Sequence, residues 1–182
     1  MTTMRSWSGL VAALGLAVSG LLIGTTAPGA VAAGTPTAYA AKVPTCTVMA
    51  INVRKGRHEA AAGSRFQTVR VTNEGDHSCS TPGWTRYRFF NLDGLLGFRS
   101  ARNPGFDTDA APVVIKAGQT VRSVLSWTDP GPVPAGQCHA RTATGFRVHI
   151  SQLPGFYRLP IHARVCTTKK YRPHGTRLSH RL

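Results

Sequence analysis

The sequence predicts an all-β protein, an antiparallel β-sandwich of about eight short strands. Short segments in which apolar and polar residues alternate follow one another along the chain, as half-buried strands require. Residues typical of turns separate these segments, and after the N-terminal apolar run no segment has the periodicity of a long helix. Four cysteines accompany the strands, which favours a sandwich braced by two disulfides.

The N-terminus has the pattern of a secretory signal peptide over residues 1–33. Arg5 supplies a positive charge, residues 10–23 are apolar and small residues follow, so cleavage is expected near residue 33 or as late as residue 40. The apolar run is shorter than the ~20 residues that a spanning helix needs, so the processed protein is not expected to span a membrane. Residues 34–44 are predicted to be a linker, and residues 45–171 the sandwich domain.

The cysteines predict the bracing of the domain. Cys46, Cys79, Cys138 and Cys166 all follow the signal peptide, and an even number of cysteines on an exported chain is typical of disulfides. Three pairings are possible for four cysteines. We prefer Cys46–Cys79 with Cys138–Cys166, because the members of each pair are nearest in sequence and each member flanks a predicted strand.

The first half of the domain contains three predicted strands and a hairpin. Val69 and Val71 alternate with polar residues, and Tyr87 and Phe89 share one face of the next strand. The dipeptide at 93–94 is Asp-Gly, which predicts a tight hairpin turn because such turns need positive φ. In chain order the predictions are a strand at 46–53, a loop at 54–63, strands at 65–73 and 85–92, a returning strand at 95–99 and a polar loop at 100–111.

The second half contains the clearest alternation in the chain. Phe146, Val148 and Ile150 are predicted to point inward, with Arg147 and His149 outward. The predictions continue with strands at 113–115 and 120–127, a loop at 129–137 too rich in Pro and Gly for a ladder, strands at 145–151 and 161–165, and a basic segment at 167–182. That segment could add a last strand near Tyr171, and residues 172–182 are expected to form a frayed basic tail.

The order of the cysteines and of several short motifs is similar to that of a known family. The motifs are Cys46, Val71 to Asn73 with Gly75 and Cys79, Pro82 to Trp84, Ala117 with Gly118, Trp127, Cys138, and Val165 with Cys166. Together they cover residues 45–171 and resemble the actinobacterial secreted domain of unknown function 4232. The resemblance implies export, two disulfides and an immunoglobulin-like sandwich, and it carries over no catalytic residue. The chain departs from the family in its arginine content and its basic tail.

The strongly positive charge indicates an attraction to polyanions. The whole chain has 22 Lys and Arg against 7 Asp and Glu, and loss of Arg5 with the signal peptide lowers the net charge from +15 to +14. A GC-rich genome would also enrich arginine, so composition by itself leaves both interpretations open. The predicted binding residues are outward-facing Arg86, Arg88, Arg147 and Arg164, and Lys169, Lys170 and Arg172 in the tail, with Arg177 and Arg181 beyond them.

No motif in the sequence predicts catalysis, a metal or a cofactor. There is no G-x-S-x-G, H-E-x-x-H or C-x-x-C, and cysteines in disulfides cannot ligate a metal as thiolates. His149 and His162 could face each other on adjacent strands, and Asp107 with Asp109 could hold calcium, but solvated side chains are the simpler interpretation of both pairs. Tyr87, Phe89 and Phe90 among arginines could stack on bases or sugars, although core packing explains such aromatics more simply.

These observations predict an exported, non-catalytic monomer, secreted or associated with the cell wall. Its expected partner is an anionic polymer of the cell envelope or another secreted protein, with no specific nucleic acid. The alternative is a secreted inhibitor or effector that docks on another protein through the loop at 129–138. An unrecognised hydrolase is the weakest alternative, because it would need several of these histidines to converge: His58, His77, His139, His149 and His162.

Overall fold

The computed structural model describes residues 42–103 and 111–181. The predicted signal peptide, most of the predicted linker and the calcium candidate Asp107 with Asp109 lie outside these residues. Within the described part of the chain, no helix is both long enough and apolar enough to cross a membrane.

The described residues form an all-β sandwich, which confirms the predicted fold class. The strands are β1 Ile51–Ala61, β2 Ser64–Asn73, β3 Cys79–Thr81, β4 Thr85–Asn91, β5 Gly94–Leu95, β6 Ala101–Arg102, β7 Val113–Ile115, β8 Thr120–Thr128, β9 Arg141–Ile150, β10 Tyr157–Val165 and β11 His174–Gly175. One sheet has the order β1-β2-β8-β11-β6 and the other the order β10-β9-β4-β5, while β3 and β7 form a small third sheet. All pairs are antiparallel except β11 with β6.

The core lies between the five-stranded and four-stranded sheets. Alternate residues of each strand point into it, as the sequence pattern predicts, and Val71 and Phe146 are fully buried. Phe89 from the four-stranded sheet lies edge-on to Trp127 of the five-stranded sheet, with ring centroids 5.4 Å apart. Tyr87 and Phe89 are therefore core residues rather than a stacking platform.

The two disulfides confirm the preferred pairing. Cys46 is bonded to Cys79 and Cys138 to Cys166, and the described residues contain no free cysteine. The first bond ties the chain before β1 to β3. The second ties the single helical turn α1, Ala135–Cys138, to the end of β10. Two disulfides indicate an extracellular or otherwise oxidising environment.

The first strand differs from its prediction at both ends. Residues 46–50 are not a strand, whereas the predicted loop at 54–63 is occupied by β1 as far as Ala61. Ala62 and Gly63 form the turn into β2, both with positive φ. The sequence does not predict the second part of this strand, because β1 lies at the edge of its sheet and its residues beyond Val53 are largely exposed. No apolar alternation therefore marks them.

The hairpin after β4 is also shorter than predicted. Asn91 pairs with Gly94, so the turn residues are Leu92 and Asp93, one position earlier than the Asp-Gly pattern suggests. The Asn91 Oδ1 atom accepts the backbone N–H groups of Asp93 and Gly94, which stabilises this turn. The returning strand β5 ends at Leu95 instead of reaching residue 99.

The expectation of a frayed basic tail at 172–182 does not hold for its described residues. A 3₁₀ turn at Lys169–Tyr171 leads into β11, which pairs with β8 and β6. Arg177 is only 6% exposed and donates from Nε to the Pro82 carbonyl at 2.8 Å, and Leu178 is 3% exposed. The segment completes the five-stranded sheet, and its buried polar residues explain why apolar periodicity did not reveal it.

A buried polar cluster joins the two sheets to this C-terminal segment. The Tyr87 hydroxyl on β4 donates to Ser123 Oγ on β8 at 2.8 Å. The Ser123 and Thr85 hydroxyls donate to the Thr176 carbonyl at 2.7 and 2.6 Å. Burial raises the pKa of Tyr87 to about 12, because the phenolate would lose its hydration in the core.

Replacing Leu178 with Ala tests whether the C-terminal segment is part of the core. We expect Leu178→Ala to lower the free energy of unfolding by about 2–4 kcal/mol, since it removes a buried side chain. Urea denaturation followed by circular dichroism measures the change. Lys169→Ala, at an exposed position of the same segment, should stay within about 0.5 kcal/mol of the wild type. Equal stabilities for both variants would mean that the segment contributes nothing to the core.

The buried Tyr87 predicts a loss of stability at alkaline pH. Its pKa is higher in the folded state than the usual 10.0 of an unfolded chain. The unfolded state therefore loses its proton first, and stability that is fully present below pH 10 is lost as pH rises towards 12, by about 1.4 kcal/mol per pH unit. Urea denaturation across this window should show a shallower decline for Tyr87→Phe than for the wild type. Tyr171→Phe is the control and should keep the wild-type slope; a wild-type slope in Tyr87→Phe would contradict the assignment.

Candidate functional site

Strand register places three arginines side by side on the outer face of the four-stranded sheet. Arg158 on β10 is opposite Arg147 on β9, and Arg147 is opposite Arg88 on β4. Their chain neighbours Tyr87, Phe146 and Val148 point into the core, so the arginines point away from it. We refer to Arg158, Arg147 and Arg88 as the β10–β9–β4 arginine row. Like charges directly opposite each other are destabilising in a sheet, so this row needs an explanation.

Aromatic rings and a carbonyl hold the guanidinium groups of the row. Arg147 lies over the Phe156 ring at 4.1 Å from its centroid, and Arg158 lies 5.3 Å from that of Phe90. Arg88 donates from Nη2 to the Gly97 carbonyl at 3.0 Å. These contacts fix the positive groups in place without neutralising their charge.

A glycine makes room for one of these rings. Gly145 on β9 is opposite Phe90 on β4, and a Cβ atom at Gly145 would collide with the Phe90 ring. Phe90 can therefore lie across the outer face of β9, where Arg158 reaches it. A glycine in a strand interior is otherwise unfavourable, so its presence here serves the close approach of the ring.

A cleft of about 200 Å³ opens beside the row and is lined by cations. The described residues that line it are Arg86, Tyr87, Arg88, Leu95, Arg99, Arg147, His149 and Phe156, without a carboxylate among them. The three ion pairs found within the described residues are Arg57–Glu59, Arg65–Asp129 and His77–Asp76, so none of them neutralises the cleft.

Two buried nitrogen atoms of the cleft have unused hydrogen-bonding capacity. The Nε atoms of Arg88 and Arg147 are buried, and neither has a hydrogen-bond partner among the described residues. A buried donor without a partner is costly, and a buried donor on a charged group more so. The fork of an arginine matches a phosphate or carboxylate group, so an anion is the ligand that the guanidinium groups of the cleft suit best.

The structure brings three of the predicted binding residues to one cleft. Arg86, Arg88 and Arg147 all line the cleft. Arg164 lies instead in a separate cleft with Arg65 and Asp129. The other predicted residues, Lys169, Lys170 and Arg172, lie in and beside the 3₁₀ turn, where Lys170 donates to Gln137 Oε1 at 3.2 Å.

Sequence reasoning missed Arg158, Arg99 and Phe156. Arg158 lies before the predicted strand at 161–165, whereas β10 already begins at Tyr157 and contains Pro160, a residue that is unusual inside a strand. Because β10 is an edge strand, it tolerates the proline. Arg99 and Phe156 lie outside the strands, and nothing in the local sequence indicates that they approach β4 and β9.

The histidines do not form the pair that the sequence suggested. His149 is opposite Arg86 and lines the arginine cleft, whereas His162 lines the cleft with His58 and Trp127. The idea that His149 and His162 face each other is therefore wrong. Within residues 42–103 and 111–181, no three His, Cys, Asp or Glu residues are placed to hold a metal ion.

The loop after β8 is restrained at both ends by side-chain contacts or a disulfide. Arg65 Nη2 lies 2.7 Å from Asp129 Oδ2, and the Gly131 N–H donates to Asp129 Oδ1 at 3.1 Å. The Gly131 N–H and the Arg65 guanidinium hold the pKa of Asp129 below its usual value. At the other end, Cys138 is fixed by its disulfide.

Comparison with family models gives one finding. The model described as Domain of unknown function (DUF4232) matches residues 46–175, which include both disulfides and every strand of the two large sheets. The chain belongs to this family. The resemblance inferred from the cysteines and short motifs is thereby confirmed at the level of the family. No curated protein matches the DUF4232 chain.

The cleft predicts that phosphate stabilises the folded DUF4232 domain. At a phosphate concentration about ten times the Kd, binding should add about 1.4 kcal/mol, which raises Tm by about 3–6 °C for a domain of this size. The measurement is thermal unfolding in phosphate and in chloride at equal ionic strength. Arg88→Gln with Arg147→Gln should remove the extra shift, whereas Lys169→Gln with Arg172→Gln, which loses the same charge, should keep it. Equal shifts in both double variants would contradict a phosphate site in the cleft.

Proposed function

We propose that this DUF4232 protein is an exported, non-catalytic module that binds anionic polymers of the cell envelope through the β10–β9–β4 arginine row. The observation that carries the proposal is the set of opposed arginines Arg158, Arg147 and Arg88, beside a cleft in which no carboxylate is found among the described lining residues. The aromatic rings that hold Arg147 and Arg158 in place add to it. Such an arrangement costs stability and gains an anion site in return.

Export is part of the proposal. It is supported by the two disulfides, which are typical of proteins that leave the reducing cytosol, and by the signal-like pattern of the N-terminus. A secreted monomer with this charge would remain at the wall wherever anionic polymer is dense. Attachment by charge requires no membrane anchor.

The chemistry of the cleft supports the non-catalytic part of the proposal. Its titratable groups among the described residues are Arg86, Arg88, Arg99, Arg147 and His149, apart from the core hydroxyl of Tyr87. Arginine remains charged at any physiological pH and can hold an anion, but it makes a poor general base or nucleophile. Binding is therefore the chemistry that these residues support best.

The row suits a phosphate-bearing polymer. Adjacent strands are about 4.8 Å apart, so three arginines on three strands span about 10 Å and can contact two or three successive anionic groups. Arginine binds phosphate through parallel hydrogen bonds. Because such contacts are electrostatic, the affinity should fall as salt rises.

The restrained loop supports a second candidate function, that of an inhibitor or effector that docks on another protein. Asp129 and Cys138 are fixed, while Gly131, Pro132 and residues 134–137 between them are largely exposed. A preorganised loop loses little entropy on docking. A stoichiometric complex with a secreted protease, abolished by substitutions in this loop alone, would favour this candidate.

Matched triple variants test the proposed function. Arg88→Gln, Arg147→Gln and Arg158→Gln should weaken binding to polyphosphate at least about tenfold, because they remove the contacts of the row. Lys169→Gln, Lys170→Gln and Arg172→Gln lose the same charge from exposed positions and should change the affinity by less than about twofold. Fluorescence anisotropy over a range of salt concentrations provides the measurement, and circular dichroism checks that each variant is folded.

Two outcomes would contradict the proposed function. If both triple variants lost affinity equally, the attraction would be diffuse and would depend on net charge alone. If retention of the protein on the polymer did not depend on salt but was abolished by one soluble sugar or peptide, the domain would have a dedicated ligand pocket. Deleting residues 169–182 is not a suitable test, since Leu178 and Arg177 belong to the folded domain.

A further inference from the structure

A second row of three arginines lies on the outer face of the opposite sheet. Arg54 on β1 is opposite Arg70 on β2, and Arg70 is opposite Arg122 on β8. The chain neighbours Val53, Val71 and Val121 point into the core, so these arginines point outward. We refer to Arg54, Arg70 and Arg122 as the β1–β2–β8 arginine row.

The second row also keeps its positive charge. None of the ion pairs in the described ranges 42–103 and 111–181 involves Arg54, Arg70 or Arg122. Arg54 donates from Nε to Asn52 Oδ1 at 3.2 Å, which positions its side chain and leaves the charge unchanged. Opposite charges at these paired positions would be stabilising by about 0.2–1 kcal/mol per pair, so three like charges are a departure from what stability favours.

The surroundings of this row differ from those of the first. A cleft of about 330 Å³ is lined by Arg54, Lys55, Arg70, Thr72, Glu74 and Thr120. The Thr72 and Thr120 hydroxyls lie 2.8 Å apart, and Glu74 accepts a hydrogen bond from Asn52 Nδ2 at 2.6 Å. Guanidinium groups beside hydroxyls and one carboxylate can bind a phosphate together with the hydroxyl groups of a polymer backbone.

The two rows face in opposite directions. Each lies on the outer face of one of two sheets that pack against each other about 10 Å apart, so the whole sandwich separates them. A single extended segment that lies along one row cannot reach the other. Each row is complete within one chain, so a monomer can hold two segments at once.

We propose that the protein is bivalent and bridges two strands of phosphate-bearing polymer, one on each arginine row. This inference rests on the proposed function, because the first row must bind the polymer before the second can add a bridge. Two weak sites on one rigid domain give an avidity that neither site has alone. The protein would therefore cross-link neighbouring anionic chains as well as adhere to them.

A capture assay tests bridging directly. Polyphosphate is attached sparsely to a biosensor surface, the protein is loaded, unbound protein is washed away, and fluorescent polyphosphate is added. The wild type should capture the second polymer. Arg54→Gln, Arg70→Gln and Arg122→Gln should still load on the surface but lose at least about nine tenths of the second capture. The variant Lys169→Gln, Lys170→Gln and Arg172→Gln is the control of equal charge and should bridge like the wild type.

The outcomes separate this inference from the proposed function. Suppose that the wild type and both variants of the capture assay load on the surface, and that the Arg54, Arg70 and Arg122 substitutions leave capture of the second polymer unchanged. This result would overturn bivalency without affecting the proposed function. Loading that the Arg88, Arg147 and Arg158 substitutions leave unchanged in a protein already carrying the Arg54, Arg70 and Arg122 substitutions would overturn the proposed function itself, because no second row then remains to load. Light scattering at the assay concentration must show a monomer, because a dimer could bridge with one row. Capture of double-stranded DNA in preference to polyphosphate would redirect the inference to nucleic acid.

Discussion

The buried hydrogen-bonded cluster of Tyr87, Ser123, Thr85 and Thr176 is the interaction on which the rest of the structure depends. It joins β4 of one sheet, β8 of the other and the C-terminal segment in the dry space between them. Side chains alternate along a strand, so an inward Tyr87 turns its neighbour Arg88 outward, and an inward Ser123 does the same for Arg122. Both arginine rows therefore take their orientation from this cluster, and each row extends from β4 or β8 to the edge of its sheet.

The rows lower stability, and other features of the chain offset that loss. Each row contains two directly opposed arginine pairs, and the four pairs together cost about 1–4 kcal/mol if each costs about 0.2–1 kcal/mol. The disulfides close segments with sequence separations of 33 and 28 residues. In the chain-entropy model each contributes about 3–4 kcal/mol, which exceeds the cost of the rows. A small sandwich braced by two disulfides can therefore display arginines without ion-pair partners on both faces and remain folded.

The sequence predicts those parts of the fold in which one face of a strand is buried and the other is not. This condition holds for β2, β4 and β8 and for the second half of β9, and their alternation predicts these strands, whereas residues 141–144 of β9 lie outside the predicted strand. It fails for β1, which is exposed on both faces over most of its length, and for the segment around Thr176 and Arg177, which is buried but polar. The rows themselves depend on register, which no local pattern encodes. Arg88 and Arg147 were recognised as outward-facing, but only the pairing of β10 with β9 adds Arg158 to them.

All six row positions are arginine rather than lysine, and this difference affects how the surface can bind an anion. Lysine would supply the same charge with a flexible and strongly hydrated ammonium group, whereas the planar guanidinium is weakly hydrated and stacks on aromatic rings. Arg147 on Phe156 and Arg158 on Phe90 use that property, so these side chains lose less freedom when an anion binds. A surface selected only for solubility gains nothing from stacked, partly buried cations. The first row therefore suits a preorganised anion site, and under the proposed bivalency the second row on the opposite sheet would turn adhesion into bridging.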